Sequence, residues 1–387
     1  MERSRTQGQS GTTPAVRTAS DRPAAPDRRI GPYRLITRLD PPGTAVPCRR
    51  FVARTSDGGR TVLLSTPLPG ADPARFAAEA AAARHLLGPW IAPVTDVAEP
   101  AGPAGAVGPA GALGLAGALG PAGTAGPAGT AGSTGATGSA GPTGPTSPTS
   151  PTSPTSPTGP TSPTAPLWYA TPYVPALPLP VALAVHGGPL PEATVRALGA
   201  ALAEALAAAH AQGLTHAGVS PAAVLLTADG PRLSCYGAVR AAAADGEPRT
   251  GLPGLDPGAL APEQASGGRP RPPGDVFALG AVLAYAATGH TVPERDELPP
   301  ALRPVVSSCL ARDPADRPTA AALMASLAPP SAHHTMLSSA GALLTPGWLP
   351  GRVIAALARQ SAELLAAELP ELPEQTVPAE RATPARA

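Results

Sequence analysis

Apolar and polar residues alternate with period two over 33–39, and two shorter runs of the same kind, 51–54 and 61–64, flank Ser56-Asp57-Gly58-Gly59. Successive side chains on a strand point to opposite faces, so these runs predict three strands, the last two joined by a turn. The period then becomes helical. Phe76, Ala80, Ala83 and Leu87 share one face of a helix over 72–87, with Asp72 as its cap and Pro73 in its first turn. Segments 91–97 and 167–170 predict two more strands, and 173–175 turns out of the second. Helical spacing dominates after that. The segment 192–212 carries Val195, Leu198, Leu202 and Leu206 on one face, with Gly213 beyond its end. A hairpin, 223–226 with 232–234, folds around Asp229-Gly230. A nearly all-apolar helix over 275–287 and two more, 302–310 and 319–327, complete the pattern. A few strands with one helix, followed by a helical half that holds a short hairpin, is an α+β bilobal plan.

A different periodicity interrupts the first half. Glycine recurs at every third position from Gly102 to Gly144, and Ser147, Ser150, Ser153 and Ser156 keep the register. This is a collagen-like Gly-X-Y pattern grading into a Thr-Ser-Pro repeat. A triple helix along the glycine tract would span about 130 Å at ~3.1 Å per residue. The return over 145–165 reaches only about 70 Å when fully extended. A solvated, partly polyproline-like loop is therefore expected, and closing it costs little because the penalty grows only logarithmically with length. Residues 1–29 are polar with scattered Arg, Pro and Ser and are expected to be a disordered arm. After a linker over 329–347, an amphipathic helix over 349–369 places Ile354, Leu357 and Leu364 on one side, with Trp348 at its start. The domains are then 1–29; a small lobe of 30–98 with 166–175; the insertion 99–165; a helical large lobe of 176–328; and a linker and terminal helix over 329–387.

Composition narrows the partners. The formal net charge is +1 and only 14% of residues are charged, so bulk electrostatics favours neither nucleic acid nor an anionic membrane. All 28 Lys+Arg residues are arginine. Cys48, Cys235 and Cys309 are far apart and odd in number, which is neither a disulfide framework nor a zinc pattern. Buried thiols in a reducing cytosol are expected. The start, MERSRTQGQS, has no apolar core for a secretion signal, and the apolar stretch 276–288 is too short to span a bilayer. A cytoplasmic protein without membrane or nucleic-acid partners is expected.

Four landmarks stand in a telling order: His216 with Pro221, Ala261-Pro262-Glu263, Asp275-Val276-Phe277-Ala278-Leu279-Gly280, and Arg312-Asp313-Pro314 with Arg317-Pro318. Over 31–98 and 166–328 the chain resembles the eukaryotic-type serine/threonine protein kinases of bacteria. The resemblance implies a bilobal protein kinase-like fold of the α+β class with a low-complexity insertion in the small lobe. It implies that Glu263 and Arg317 pair to tie the activation segment to the far helices. It also implies that Asp275 accepts hydrogen bonds from the catalytic-loop backbone near His216, and that His216 and Pro221 are packing residues.

The same resemblance exposes what has changed. Family members cover nucleotide phosphates with a loop of three glycines; here 39–48 keeps one glycine among three prolines. Ser65 stands at the phosphate-binding lysine, and Glu79, the helix glutamate that would pair with that lysine, is expected to be a solvated carboxylate. Gly218 replaces the aspartate that positions the acceptor hydroxyl, Ser220 a lysine, and Ala223 a magnesium-binding asparagine. Cys235, in Cys235-Tyr236-Gly237, replaces the second metal ligand, and Asp256 stands where a substrate-facing threonine is usual. Arg49 or Arg50 could offer a guanidinium to phosphate. On these substitutions the chain is expected to be a pseudokinase and not an enzyme. No catalytic or metal residue and no cofactor is expected, with ATP and magnesium bound weakly or not at all. It would act as a binding, scaffold or regulatory protein on a protein partner such as an active kinase. The alternatives are a divergent ATP-dependent serine/threonine protein kinase and a structural oligomer formed through the collagen-like tract.

Overall fold

Alternation builds the first sheet. The computed structural model describes residues 29–41, 44–98, 166–294, 296–327, 343–344 and 346–368. Contacts divide the chain into 1–100 with 165–387, to which every described residue belongs, and 101–164, which lies outside them. The expectations for the repeat tract, for residues 1–28 and for most of the linker therefore fall outside the described residues. The strands are β1 (Arg29–Ile30), β2 (Tyr33–Arg38), β3 (Arg49–Thr55), β4 (Thr61–Thr66), β5 (Asp96–Val97) and β6 (Tyr169–Pro172). They form one antiparallel sheet in the order β1-β2-β3-β4-β6-β5. Strand β1 takes in the last residue of the expected disordered arm: Arg29 pairs with Arg34, and Ile30 with Tyr33. Tyr33 packs edge-on against Trp168 at 5.1 Å and donates to Asp96 Oδ2 at 2.8 Å.

Helix α1 (Pro73–Ala83) is capped by Asp72, whose carboxylate accepts from the amides of Ala74 and Arg75. It ends four residues before the periodicity predicts. The amides of Arg84, His85 and Leu86 bond to carbonyls three residues back, and this tighter winding rotates the apolar face. Leu86 is buried at 1% exposure, whereas Leu87, expected inside, is 65% exposed. The strand predicted over 91–97 shrinks to β5 for a related reason: its first part crosses to the large lobe, with Ala92 N to Leu233 O at 3.0 Å and Leu233 N to Trp90 O at 2.7 Å.

The large lobe opens with β7 (Leu177–Pro178) and α2 (Leu179–His186). The prolines around α2 conceal it from periodicity, yet a first-turn proline gives up an amide that needs no partner there. Helix α3 (Glu192–Ala211) buries Val195, Leu198, Leu202 and Leu206 against α6 (Pro272–Thr288) and α8 (Ala320–Leu327). Between them lie β8 (Val224–Thr227) and β9 (Gly230–Leu233), which extend β7 into a three-stranded sheet, the short helices α4 (Ala238–Ala242) and α5 (Pro262–Ala265), and α7 (Arg303–Cys309). No helix among the described residues is long and apolar enough to cross a membrane.

Helix α9 (Gly351–Glu368) docks on α2. Its inner face is Val353, Ala356, Leu357 and Leu364, while Ile354, expected inside, turns outward at 37% exposure. Trp348 anchors its start: the indole donates to Ala228 O at 3.0 Å, and Thr194 Oγ1 donates to Trp348 O at 2.8 Å. Gln360 accepts from the Ala176 amide, beside the strand that enters the large lobe. Trp348→Ala should cost about 3–5 kcal/mol of stability in chemical denaturation, because a buried indole leaves a cavity. A change below about 1 kcal/mol would mean that the indole does not hold the tail in place.

Candidate active site

A carboxylate at the start of α6 shapes the loop below the cleft. Asp275 accepts from His216 N at 2.7 Å and Ala217 N at 2.8 Å, and lies 3.0 Å from His210 Nε2. Two adjacent amides converge on it because Ala217 adopts a left-handed φ of 50°. The His216 ring packs edge-on to Tyr236 at 5.6 Å, and neither of its nitrogens has a hydrogen-bond partner. Burial pushes its pKa down to about 4, so the ring is neutral. At the far end of the activation segment, Arg317 donates to both oxygens of Glu263, at 2.7 and 2.9 Å, and to the carbonyls of Ala311, Pro273 and Arg312. Its guanidinium lies 5.0 Å over the Phe277 ring. Burial works against the Glu263 charge, but the Arg317 bonds win and hold its pKa below the usual range.

Arg249 is a second fastening that sequence reasoning missed. Its fully buried guanidinium donates to the carbonyls of Ala243, Ala244, Gln264 and Gly268 and to Asp245 Oδ1. The activation segment is thereby tied across its own base as well as to Arg317.

The cleft contains charges, each matched inside the protein. Ser65 on β4 faces Arg50 on β3 in the strand register. Arg50 donates to Asp40 through two nitrogens, at 2.9 and 2.5 Å, and to Ser234 Oγ at 3.1 Å. Both members of the ion pair have 0% side-chain exposure. Burial would discharge Arg50, but Asp40 more than offsets it and the pKa is raised. Arg50 is therefore committed to Asp40, and Arg49 points away to Pro67 O at 3.4 Å. Neither guanidinium is placed as the substitute for the missing lysine considered from the sequence.

Glu79 is not a solvated carboxylate. Arg240 on α4 donates to it at 2.9, 2.9 and 2.8 Å, gives another hydrogen to Thr215 O, and stacks 4.9 Å above Tyr236. Gly237, with φ of 72°, passes so close that a Cβ would overlap the Glu79 carboxylate. This ion pair spans 161 residues, which is why no local pattern revealed it.

The substituted family positions gather around one turn. A Cβ at Gly218 would overlap the Cys235 carbonyl oxygen, so an aspartate could stand there only if the two backbones moved apart. Ser220 caps the short turn that follows, its oxygen accepting from Ala223 N at 3.3 Å. Ala223 is fully buried and its carbonyl accepts from Ser234 Oγ at 2.7 Å. Cys235 has a left-handed φ of 63°, and its thiol lies 3.8 Å from that of Cys48. These donors do not fit magnesium, since a thiol and a methyl stand where a hard cation takes oxygen. They do not fit a triphosphate held by Arg50 either, since Asp40 already neutralises it. Asp256 lines a shallow cavity with Gly218, Val219 and Ser220, oriented by the Gly258 amide at 2.9 Å and the Thr291 hydroxyl at 3.4 Å.

The comparisons with known proteins agree with this architecture. No protein-family model matches the chain. It is 32% identical over 329 residues to a probable serine/threonine-protein kinase, PkwA of Thermomonospora curvata, an alignment covering 79% of this chain and 35% of that protein. It is 36% identical over 205 residues to the serine/threonine-protein kinase AfsK of Streptomyces coelicolor, covering 48% of this chain and 25% of that protein. The chain thus spans about a third or less of the length of these curated relatives. Among solved structures, the PknI kinase domain of Mycobacterium tuberculosis superposes with a TM-score of 0.50 at 20% identity, covering 79% of this chain and 98% of that domain. The fold is that of a protein kinase. The chain belongs to the bacterial eukaryotic-type serine/threonine protein kinase family.

The expectation of a non-enzyme is corrected by these relatives, which are named as serine/threonine-protein kinases. The reason is physical. Counting lost motif residues assumes that chemistry must come from the motif positions, and the loss of those side chains does not by itself show that activity is lost.

Protonation of His216 gives a direct check on the frame. Its folded-state pKa lies below the unfolded value of 6.5, so the unfolded chain takes the proton first. Stability is complete above about pH 7 and declines as pH falls toward 4. The expected loss between pH 7 and 5 is about 2 kcal/mol, and it should be absent in His216→Leu. Urea melts with parallel pH dependence in both proteins would contradict a buried neutral ring.

Proposed function

We propose that this chain is a divergent serine/threonine protein kinase, slow in turnover and weak in its hold on ATP and magnesium. The names of its relatives support the reaction class. Ser65, Ala223 and Cys235, at positions that would hold phosphate and metal, support the weak binding. The observation that carries the reading is the Asp256 carboxylate, which shares a cavity with Gly218 and Ser220 of the loop below the cleft. A carboxylate held by an amide and a hydroxyl can orient an acceptor Ser or Thr and take its proton, a contribution of about 10²–10⁴ in rate. The acceptor is a protein, and the setting is cytoplasmic, where ATP is supplied.

The test uses the purified full chain with labelled ATP, magnesium or manganese, and casein as acceptor. Slow incorporation into Ser or Thr is expected, reduced at least about tenfold by Asp256→Asn, which keeps the bond from Gly258. Incorporation equal in the wild type and the variant would remove Asp256 from the reaction. The absence of both incorporation and a nucleotide-induced thermal shift would overturn the reading.

A further inference from the structure

Two of the three cysteines meet inside the cleft. Cys48 lies just before β3 in the small lobe and Cys235 just after β9 in the large lobe, 187 residues apart, with their sulfurs separated by 3.8 Å. Both are buried and free. We infer that Cys48 and Cys235 form a peroxide-responsive dithiol that closes to a disulfide between the two lobes.

Three observations carry this. The first is distance: bonding needs the sulfurs to approach from 3.8 Å to ~2.05 Å, within reach of side-chain rotation and a small closure of the cleft. The second is the surroundings of Cys235. Its sulfur lies 3.5 Å from Ser234 Oγ, and Arg50 reaches the same hydroxyl at 3.1 Å. The hydrogen bond with Cys48 draws the Cys235 thiol down to about 7 against burial, with Arg50 and Ser234 adding to it and Asp40 opposing. Cys48 moves the other way, raised by that same bond and by burial, which marks it as the resolving thiol. The third is access. A cavity of about 20 Å³ lined in part by Cys235, Ser234, Ser65 and Tyr169 admits one molecule of water's size, and hydrogen peroxide, with one more oxygen, needs a small widening of it. Cys309 supplies the contrast: it is fully buried on α7, and burial pushes it up to about 12.

The chemistry balances with peroxide as the oxidant. The Cys235 thiolate attacks one peroxide oxygen, the O–O bond breaks, and the leaving hydroxide takes a proton to become water. The resulting sulfenic acid is attacked at sulfur by Cys48, the S–S bond forms, and a second water leaves. Two thiols lose two electrons and two protons, and one peroxide becomes two waters. A dithiol reductant reverses the bond by exchange. The link would hold the loop before β3 against the turn after β9 and occupy the floor of the cleft. It does not depend on phosphoryl transfer, since its readout is a covalent bond.

The native full chain is treated with hydrogen peroxide, alkylated, digested with trypsin without reductant and weighed by mass spectrometry. The expected product joins peptide 39–49 to peptide 233–240, lighter than the two reduced peptides together by two hydrogen atoms, and it is released by dithiothreitol. It should persist in Cys309→Ser and vanish in Cys48→Ser and Cys235→Ser. The wild-type map alone decides if a variant fails to fold. Recovery of Cys48 and Cys235 fully alkylated after peroxide, or accumulation of sulfinic acid at Cys235 without the joined peptide, would overturn the inference.

Discussion

A guanidinium and a carboxylate, Arg50 and Asp40, meet out of contact with water at the centre of the cleft, and the arrangement around them follows from that meeting. Either charge alone would be very costly there, since an ion removed from water loses several kcal/mol that only a well-formed partner returns. The pair holds the chain before β3 down against that strand, which fixes where Cys48 lies. Through Ser234 it also reaches across to the large lobe, next to Cys235. Ser65 faces Arg50 across the strands, and that guanidinium is committed to Asp40.

The same economy of internal partners holds around the cleft. Glu79 on α1 is matched by Arg240 on α4, so the small-lobe helix is tied to the beginning of the activation segment. Arg249 and the Glu263–Arg317 pair hold the rest of that segment, and Asp275 holds the loop beneath it. Order in this region therefore comes from arginines bonded to carboxylates and carbonyls. Polar groups in a low-dielectric interior specify position strongly because an unmatched one is so costly. A frame built this way is held by its own internal partners.

Much of this frame was legible in the chain. Period-two alternation located β2, β3 and β4, and the spacing of Val195, Leu198, Leu202 and Leu206 located α3 with its buried face. Glu263, Arg317, Asp275 and His216 were legible because short motifs mark them. What escaped was of two kinds. Local winding moved faces by one position, so Leu86 replaced Leu87 and Val353 replaced Ile354 in the core. Long-range pairs left no local trace: Glu79 with Arg240, and Cys48 with Cys235. Arg50 did leave a trace, because it shares the inward face of β3 with Val52, and an arginine on an apolar face calls for a buried partner.

The buried pair is measured most directly by a double-mutant cycle on Asp40→Asn and Arg50→Met, with unfolding free energies from denaturant titration of the full chain. A pair sealed from solvent and joined by two hydrogen bonds should give a coupling of about 3 kcal/mol, with the double variant more stable than additivity allows. A coupling below about 0.5 kcal/mol, the level typical of exposed pairs, would contradict a cleft organised around an internal charge pair.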